Sequence, residues 1–335
     1  MTSPIDTPAF ADWLRSNDLG DLETIEAVAG GQSNPTFFVS AGGRNYVLRK
    51  KPTGPILKGA HAVDREYRVL AALAKTDVPV PHPVAFCDDT EVLGTEFYLM
   101  ERLEGRVFHD AALPGLNPDE RRGMYLSMAE TLARLHAVRP EEVGLGDYGR
   151  PTGYFERQYR RWLSQWEAAE DMEIPELDRL AAWLRDHLPE DDGQVAIVHG
   201  DYRIGNLIYH PTEPIVVGIL DWELSTLGHP LADLGFCCMP WRTTPEEYGG
   251  IRGLGAEVDG IPPREDFVAH YMRHALSKAP LEPSHEAFAL FRFAVIFVGI
   301  AERARQGNAA GSEAEKLAPL AGRFAARGLE LGPDP

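Results

Sequence analysis

Short apolar runs separated by polar turns fill the first third of the chain, a pattern typical of β-strands. Five such runs predict strands: 25–28, 36–39, 46–48, 84–87 and 95–100. The pair Gly42-Gly43 between the second and third runs predicts a hairpin. Residues 7–17 and 61–74 instead place apolar side chains at helical spacing. The beginning of the chain therefore predicts a small sheet with one main helix beside it.

Helical spacing of apolar residues predominates beyond residue 105. Three segments predict helices: 124–138, 155–167 and 177–187. Apolar runs at 194–199, 206–210 and 215–220 predict one strand and a second hairpin, and the chain is helical again from about residue 231. We therefore expect an α+β fold. It would consist of a small antiparallel sheet lobe and a larger, mostly helical lobe, joined by the polar segment 101–105.

The composition is that of a folded protein and argues against two classes of partner. The chain has 335 residues, of which 44% are hydrophobic and 25% charged, enough apolar side chains to form packed cores. Thirty-three Lys and Arg residues against 51 Asp and Glu residues give a net charge of −18. Nucleic acids and acidic membrane surfaces attract basic proteins, so we expect neither as a partner.

The cysteines and the lengths of the apolar runs bear on the compartment. Cys87, Cys237 and Cys238 form neither a disulfide framework nor a zinc-binding spacing, and we interpret them as small buried side chains. The first ten residues lack the pattern of a signal peptide. The longest strongly apolar run, 293–300, is far shorter than a membrane span. We therefore expect a soluble protein of the cytoplasm.

The clearest chemical pattern lies between residues 198 and 223. Val-His-Gly-Asp-Tyr-Arg-Ile-Gly-Asn-Leu ends a predicted strand and opens a loop, and Ile-Leu-Asp-Trp-Glu follows at the end of the next hairpin. The hairpin returns Asp221 to the neighbourhood of Asn206. Their oxygen atoms suit Mg²⁺, which takes one or two protein oxygens and shares its remaining positions with phosphates and water.

Two further polar residues of the same loop are available for chemistry. Asp201 carries a carboxylate that the metal does not require, and it can accept a hydrogen bond from an attacking hydroxyl and orient it. Arg203 can neutralise charge that develops on a transferring phosphoryl group. The pattern therefore predicts a phosphoryl-transfer site in which Asp201 and Arg203 are the catalytic residues.

The motif His-Gly-Asp-x-x-x-x-Asn followed by Leu-Asp-Trp-Glu resembles the aminoglycoside phosphotransferase and choline kinase superfamily, the small-molecule branch of the protein-kinase fold. Segments 30–35, 46–52, 64–70 and 220–230 resemble one subgroup, the phosphotransferase domains related to those attached to acyl-CoA dehydrogenases. The resemblance covers essentially the whole chain. It implies a protein-kinase-like two-lobe fold, with a nucleotide-binding lobe at 1–102 and a catalytic and substrate-binding lobe at 103–335.

The resemblance also implies where ATP binds. In this superfamily a glycine-rich turn between two strands covers the phosphates with backbone N–H groups, and glycine allows that close approach. The connector between the lobes supplies backbone hydrogen bonds to the adenine, a position that Glu101 and Leu103 match. An ordinary strand end explains those two residues equally well. The turn residues that match are Gly30, Gly31, Ser33 and Asn34.

A cation on the next strand should contact the α- and β-phosphates. Its position falls on Arg49, with Lys51 as a rival because strand alternation returns residue 51 to the same face. Glu66 fits the partner of that cation, since a carboxylate on the apolar face of a helix is costly without one. The alternative is a surface glutamate paired with Arg65 or Lys75.

Other motif residues have implied supporting roles or depart from the protein-kinase pattern. His199 and Asp233 match positions that hold the catalytic loop. Gly200 stands where protein kinases usually carry an arginine that binds a phosphorylated loop, and Trp222-Glu223 replaces Phe-Gly. These departures indicate a constitutive small-molecule kinase that uses ATP and Mg²⁺, not a regulated protein kinase.

The sequence constrains the identity of the phosphate acceptor less than it constrains the fold or the nucleotide site. The subgroup resemblance points to a hydroxy-acid or a hydroxyacyl-CoA; an aminoglycoside, choline or homoserine-type kinase and a nucleotide-binding scaffold are alternatives. Arg157 and Arg161 share one face of a predicted helix and could bind an anionic group of the substrate. They could equally form a solvated face paired with Glu156 and Glu167.

Overall fold

The runs predicted as strands in the first third of the chain form one antiparallel sheet. The strands are β1 (Leu22–Ala27), β2 (Thr36–Ala41), β3 (Arg44–Lys50), β4 (Pro83–Cys87) and β5 (Phe97–Glu101). Their order across the sheet is β1-β2-β3-β5-β4, and each neighbouring pair is antiparallel. The computed structural model describes residues 7–28, 34–53, 62–169, 172–305 and 319–332.

Alternate residues of β5 face opposite sides of this sheet, and a helix packs on each side. Phe97 lies in a core with α1 (Thr7–Ser16), whereas Tyr98 lies in a core with α2 (Val63–Leu73). Both helices were predicted. The single turn of α3 (Thr90–Leu93) was not, because four residues are too short to show a helical period.

The rest of the chain is mostly helical, as the sequence predicts. Its helices are α4 (Pro118–Ala137), α5 (Tyr154–Glu167), α6 (Pro175–His187), α7 (Leu231–Cys237), α8 (Met239–Arg242), α9 (Arg264–His274), α10 (Pro283–Arg305) and α11 (Leu320–Leu329). The predicted start of α4 at residue 124 was wrong by six residues. The side chain of Asn117 accepts the Glu120 N–H at 3.0 Å and caps a first turn that is too polar for an apolar pattern to show.

Short strands within this helical part bring loop ends together. A two-stranded sheet pairs β7 (Ala196–Val198) with β10 (Thr226–Gly228), and a three-stranded sheet has the order β6-β8-β9. In the latter, β6 is Arg106–Val107, β8 is Leu207–Tyr209 and β9 is Val216–Ile219. The strand and hairpin predicted around 194–220 are confirmed. The sequence missed β6 and β10, which have two and three residues.

The division at residues 102 and 103 stays a prediction. It falls between the end of β5 at Glu101 and the start of β6 at Arg106. However, the largest hydrophobic core crosses it, because Tyr98 and Leu70 share that core with Leu132 and Leu207. The two parts are therefore packed against each other. The prediction for the cysteines is confirmed, since all three are buried and carry free thiols.

Helix α10 has 23 residues and is rich in apolar side chains. Its segment Pro283–Arg303 is long and apolar enough to cross a membrane, but 78% of its most apolar window is buried inside the protein. A buried window is typical of the core helix of a globular protein, which passes the same test of length and composition. Phe293 and Phe297 of α10 contact Phe324 of α11, with ring centroids 5.0 and 5.1 Å apart.

We expect the substitution Phe324→Ala to lower the free energy of unfolding by about 3–5 kcal/mol, because it leaves a cavity at a fully buried position. Urea unfolding followed by circular dichroism measures the change. The control is Leu276→Ala, at a side chain that is 70% exposed, for which we expect a change within about 0.5 kcal/mol. Equal effects of the two substitutions would contradict this account of the packing.

Candidate active site

The loop that follows β7 brings three of the predicted residues into contact. The Asp201 Oδ2 atom accepts hydrogen bonds from Asn206 Nδ2 at 2.8 Å and from Arg203 Nε at 3.3 Å. Asn206 also donates to the backbone carbonyl of Asp201 at 2.8 Å, which closes the loop on itself. The Asp201 side chain is 23% exposed. This carboxylate is therefore fixed in orientation and still open to a ligand.

His199 is fully buried, and both of its ring nitrogens bond to the backbone. Its Nδ1 accepts the Asp201 N–H at 3.1 Å, and its Nε2 lies 2.8 Å from the carbonyl oxygen of Leu220. These partners assign the neutral tautomer with the proton on Nε2. The imidazole joins the start of the loop to the end of β9, and neither nitrogen is available to a substrate.

The buried carboxylate of Asp233 holds the backbone of the loop. It accepts the N–H groups of His199 and Gly200 at 2.7 and 2.9 Å and lies 3.3 Å from His136 Nε2. Burial would raise the pKa of Asp233, but the hydrogen bonds from His136 and the loop N–H groups outweigh it and hold the pKa below its usual range. Gly200 has φ = +84°, and a Cβ there would lie 2.7 Å from the carbonyl oxygen of Leu224.

Arg292 is a contact of this loop that the sequence analysis missed. Its guanidinium donates to the carbonyl oxygen of Gly200 at 2.6 Å from α10. Each polar group of the Gly200 backbone thus has a partner on a different helix, Asp233 on α7 and Arg292 on α10. An arginine set between Phe291 and Phe293 was a signal in the sequence, because a charge within a buried apolar helix needs a partner.

Asp221 and Asn206 lie next to each other at the ends of β9 and β8. The Leu220 N–H donates to the carbonyl oxygen of Asn206 at 2.8 Å, and Leu207 pairs with Ile219 in the sheet. Asp221 adopts φ = +64°, a left-handed conformation that is costly for a residue with a side chain. Its side chain is 35% exposed. Together the two residues offer the hard oxygen atoms that Mg²⁺ prefers, so this donor set fits the metal.

Arg49 joins Asp221 to the small sheet. Its guanidinium lies 3.1 Å from Asp221 Oδ1, and its Nε lies 3.2 Å from Glu66 Oε2 in an ion-pair contact without hydrogen-bond alignment. Burial would lower the pKa of Arg49, but the charges of Glu66 and Asp221 outweigh it and raise the pKa. Lys50 donates instead to the carbonyl of Leu93 at 2.8 Å, on the opposite side of the strand.

Lys51 and Arg65, two other basic residues predicted as alternatives for this ion pair, have different partners. Lys51 pairs with Glu96, and Arg65 donates to the carbonyl oxygen of Tyr148 at 2.8 Å while its guanidinium stacks on the ring of that tyrosine. The structure therefore places Arg49, not Lys51, beside Glu66 and Asp221.

Glu66 is buried among three partners. Besides Arg49, it accepts from Asn34 Nδ2 at 2.6 Å and from the Tyr98 hydroxyl at 3.0 Å. Burial raises the pKa of Glu66, and the charge of Arg49 opposes that rise. The contact of Tyr98 could not be predicted, because its ring is one of several apolar side chains in β5. The Asn34 side-chain amide thus bonds to Glu66, and the predicted contact of the turn backbone at residue 34 with a phosphate stays a prediction.

Three residues of the predicted glycine-rich turn, Gly30, Gly31 and Ser33, lie outside the described residues. The predicted adenine contacts lie at the end of β5. There the Glu101 N–H donates to the carbonyl oxygen of His82 at 2.8 Å, and the Leu103 side chain approaches Gly218. The segment 101–105 thus passes directly over the hairpin formed by β8 and β9.

The two predicted anion-binding arginines do not share one contact. Arg157 donates to the carbonyl of Arg150 at 2.8 Å, whereas the Arg161 guanidinium carbon lies 5.4 Å from the centre of the Trp162 ring. The proposed pairing of this face with Glu156 holds for Arg160 instead.

A largely apolar pocket opens beside Arg203. The volume between its walls is about 640 Å³, part of it open to solvent. Phe236, Phe293 and Tyr248 are among the side chains that line it. Its one acidic side chain, Glu247, is buried, and both of its oxygens accept from Arg327 at 3.0 Å. The pocket therefore offers an apolar wall with a guanidinium at one end, and no unpaired carboxylate among its described lining residues.

Comparison with known proteins begins with the sequence. Residues 24–275 match the phosphotransferase enzyme family. Acyl-CoA dehydrogenase family member 11 of Gallus gallus is 42% identical over 314 residues, which are 92% of this chain and 40% of that protein. The chain thus spans about two fifths of the length of this curated relative. The subgroup to which the sequence motifs point is therefore confirmed.

Solved structures confirm the kinase-like fold. A crystal structure from Ralstonia eutropha, provisionally assigned as an aminoglycoside phosphotransferase, is 42% identical with a TM-score of 0.89, and the match covers 98% of each chain. A mutant of the aminoglycoside phosphotransferase APH(4)-Ia, in a ternary complex with ADP and hygromycin B, is 15% identical with a TM-score of 0.63. That match covers 98% of this chain and 100% of the other, and it concerns the fold alone.

Because its pKa is depressed in the folded protein, the Asp233 carboxylate contributes stability above the usual aspartate pKa of about 4, and this contribution is lost as the pH falls through the lower folded value. We expect Asp233→Asn to cost about 3 kcal/mol at pH 7. The deficit should shrink as the pH falls below about 4. Urea unfolding from pH 3 to pH 7 measures it.

The control for this pH series is Asp88→Asn, at an exposed residue. It should follow the wild type at every pH. A deficit of Asp233→Asn that stays constant down to pH 3 would show that the carboxylate charge does not hold the loop.

Proposed function

The chain belongs to the phosphotransferase enzyme family, and we propose that it transfers the γ-phosphoryl group of ATP to a hydroxyl group of a small molecule. The observation that carries the proposal is the position of Asp201. Its carboxylate is oriented by Asn206 and Arg203, and the same loop is tied through Leu220 to Asp221, the residue that Arg49 holds. A phosphoryl-transfer site requires three groups in this spatial order: a group that orients the acceptor, oxygen ligands for a metal, and a cation for the phosphates.

In this proposal Asp201 accepts a hydrogen bond from the attacking hydroxyl and takes up its proton as the phosphoryl group is transferred. The Arg203 guanidinium, 3.3 Å from Asp201, lies where it can balance charge on the transferring group. His199 takes no part in proton transfer, since both of its nitrogens bond to the backbone. Catalysis then rests on positioning and on charge neutralisation.

The nucleotide would bind between the small sheet and the loop. Arg49 supplies a positive charge for the α- and β-phosphates, and Glu66 keeps its guanidinium in place. We assign the phosphate-covering turn to Gly30, Gly31, Ser33 and Asn34, and the adenine contacts to the backbone of Glu101 and Leu103. The ADP present in the complex of APH(4)-Ia supports a nucleotide in this fold.

Asn206 and Asp221 would hold Mg²⁺ through one oxygen each. When bound there, Mg²⁺ would offset the negative charge of the phosphates. Asp221 Oδ1 already accepts from Arg49, so its Oδ2 is the oxygen that we assign to the metal. The left-handed backbone of Asp221 sets the direction of that carboxylate.

For the acceptor we propose a hydroxy-acid or a hydroxyacyl-CoA. The apolar pocket beside Arg203 suits an aliphatic chain, and the relatives named as acyl-CoA dehydrogenases point to the same chemistry. An aminoglycoside is the second candidate, supported by the names of the solved structures. The pocket disfavours it, because a polycation needs unpaired carboxylates and Glu247 is neutralised by Arg327. The net charge and the free thiols support a cytoplasmic enzyme without nucleic-acid or membrane partners.

We expect Asp201→Ala to lower turnover by about 10³-fold while it leaves nucleotide affinity within about threefold, because the carboxylate acts on the acceptor and not on ATP. ATP consumption over a panel of hydroxylated metabolites, including hydroxyacyl-CoAs and aminoglycosides, identifies the acceptor. Calorimetry with Mg²⁺ and a non-hydrolysable ATP analogue measures the affinity. Phosphorylation at the wild-type rate in Asp201→Ala would rule out this mechanism. Wild-type protein that binds the nucleotide but phosphorylates no acceptor would support the scaffold alternative, and wild-type protein that binds no nucleotide would rule out both.

We expect Glu66→Gln to weaken binding of the same ATP analogue about tenfold. The amide keeps the size of the side chain and can still bond to Tyr98, but it removes the charge that holds Arg49. The matched control is Glu96→Gln, which removes the partner of Lys51 on the same strand end and should leave the affinity unchanged. An equal loss in both variants would assign the phosphates to Lys51.

A further inference from the structure

Two arginines beside the catalytic loop have no acidic partner. The guanidinium carbons of Arg161 and Arg292 lie 5.4 and 5.7 Å from the centre of the same indole ring, that of Trp162. Within the described part of the chain, neither forms an ion pair with a carboxylate, although acidic residues outnumber basic ones by 51 to 33. By contrast, Arg160 pairs with Glu156 one turn away on the same helix. The unpaired charge is therefore local to the side of α5 that faces α10.

The Trp162 indole, which lies near both arginines, has an N–H group without a hydrogen-bond partner in the part of the chain that the structure describes. Trp162 Nε1 is buried and has no hydrogen-bond partner among the described residues. A buried polar group without a partner is uncommon in folded proteins and usually marks a missing water, ion or ligand. The unpaired N–H is an observation independent of the two charges, and all three groups are donors that suit an anion.

The hydroxyl of Tyr154 reports the same positive field. Burial and, to a smaller extent, the charge of Asp233 raise the pKa of Tyr154 to about 12, and three guanidinium groups oppose that rise: Arg292, Arg157 and Arg161. All three therefore lie around the start of α5. The Arg157 guanidinium already donates to the carbonyl of Arg150, whereas Arg161 and Arg292 are the two arginines of this group that lie near the Trp162 ring.

Arg292 connects this region to the reacting centre and to the apolar pocket. It donates to the Gly200 carbonyl at 2.6 Å, one residue before Asp201. Its guanidinium carbon also lies 5.9 Å from the ring of Phe236, and Phe236 and Phe293 line the pocket beside Arg203. An acceptor whose apolar part fills the pocket would reach Arg292 within the length of a short chain.

We propose that Arg161 and Arg292, whose guanidinium groups both lie near the Trp162 ring, bind an anionic group of the acceptor and so set the specificity of the enzyme for anionic substrates. The inference rests on the proposed phosphotransferase function. The anion is a carboxylate of a free hydroxy-acid or a phosphate of its thioester carrier, which present the same chemistry to a guanidinium. Because Arg292 also bonds to Gly200, the bound anion is linked through one side chain to the loop that carries Asp201.

Equilibrium binding tests the site without the need for turnover. Calorimetry with wild-type protein and the Mg²⁺-bound ATP analogue uses 3-hydroxybutyrate as the carboxylate probe and coenzyme A as the phosphate probe. We expect one of the two to bind, and Arg161→Ala to weaken that probe about tenfold or more, the effect of losing one charged hydrogen bond. The matched control Arg160→Ala should stay within about twofold of the wild type.

Each outcome of this experiment either identifies the anion as a carboxylate or a phosphate, or contradicts the proposal. Binding of 3-hydroxybutyrate alone identifies a carboxylate site, and binding of coenzyme A alone identifies a phosphate site. If neither probe binds to the wild type, or if Arg161→Ala and Arg160→Ala lose affinity equally, the proposal is overturned. The probes bind at equilibrium, so a protein that fails to transfer phosphate while Arg161→Ala still weakens the probe would refute the proposed function and leave the anion site standing.

Separate changes in KM and kcat distinguish a residue that binds the acceptor from one that positions the loop of Asp201. With an acceptor from the screen, Arg161→Ala should raise KM about tenfold at an unchanged kcat, whereas Arg292→Ala should also lower kcat, because it frees the Gly200 carbonyl. Arg292→Lys keeps the charge and should recover most of the KM but not the kcat. Thermal unfolding shows whether Arg292→Ala remains folded; if it does not, Arg161→Ala and Arg292→Lys carry the test. An unchanged KM in both would contradict the assignment.

Discussion

The ion pair of Arg49 with Glu66 and Asp221 is the contact on which the geometry of the site depends. It joins three segments far apart in sequence: a strand of the small sheet, the helix packed on that sheet, and the end of the catalytic hairpin. A buried charge is costly unless every partner is in place, so the arrangement forms only when all three segments are docked. Its contribution to stability is small for the same reason. What it provides is a fixed distance between the guanidinium that we assign to the phosphates and the carboxylate that we assign to Mg²⁺.

Local patterns predicted the elements and the candidates for this site, because they depend on neighbours in sequence. Strand alternation separated Arg49 from Lys50, and helical spacing placed Glu66 on the inner face of α2. The choice between Arg49 and Lys51 needed the position of Glu96, which no spacing supplies. Tyr98, Arg292 and the short strands β6 and β10 were missed because their partners lie about 30 to about 100 residues away in the chain. A single aromatic or arginine in an apolar run does not say which segment it will meet.

The protein has a net charge of −18, whereas the ligands proposed for its site are anionic phosphates. An acidic chain that binds phosphates must concentrate its positive charge where they sit, and it must keep acidic side chains away or paired. The structure does both. Arg49 is held by carboxylates that also serve the site, Glu247 in the pocket is cancelled by Arg327, and Arg161 and Arg292 have no acidic partner in the described part of the chain. The sign of the net charge of the whole protein therefore says little about which ligands bind in one cleft.

The catalytic loop is held from more sides than its fold requires. Asp233 takes its N–H groups, Arg292 takes a carbonyl, and His199 bridges it to the end of β9. None of these three can exchange a proton with a substrate in the positions observed. An enzyme that relied on a strong base would not need such rigidity, whereas one that relies on orientation does, because a small displacement of the acceptor oxygen lengthens the path to the phosphorus atom. The restraints on the loop therefore favour a mechanism in which Asp201 mainly aims the hydroxyl and removes its proton late.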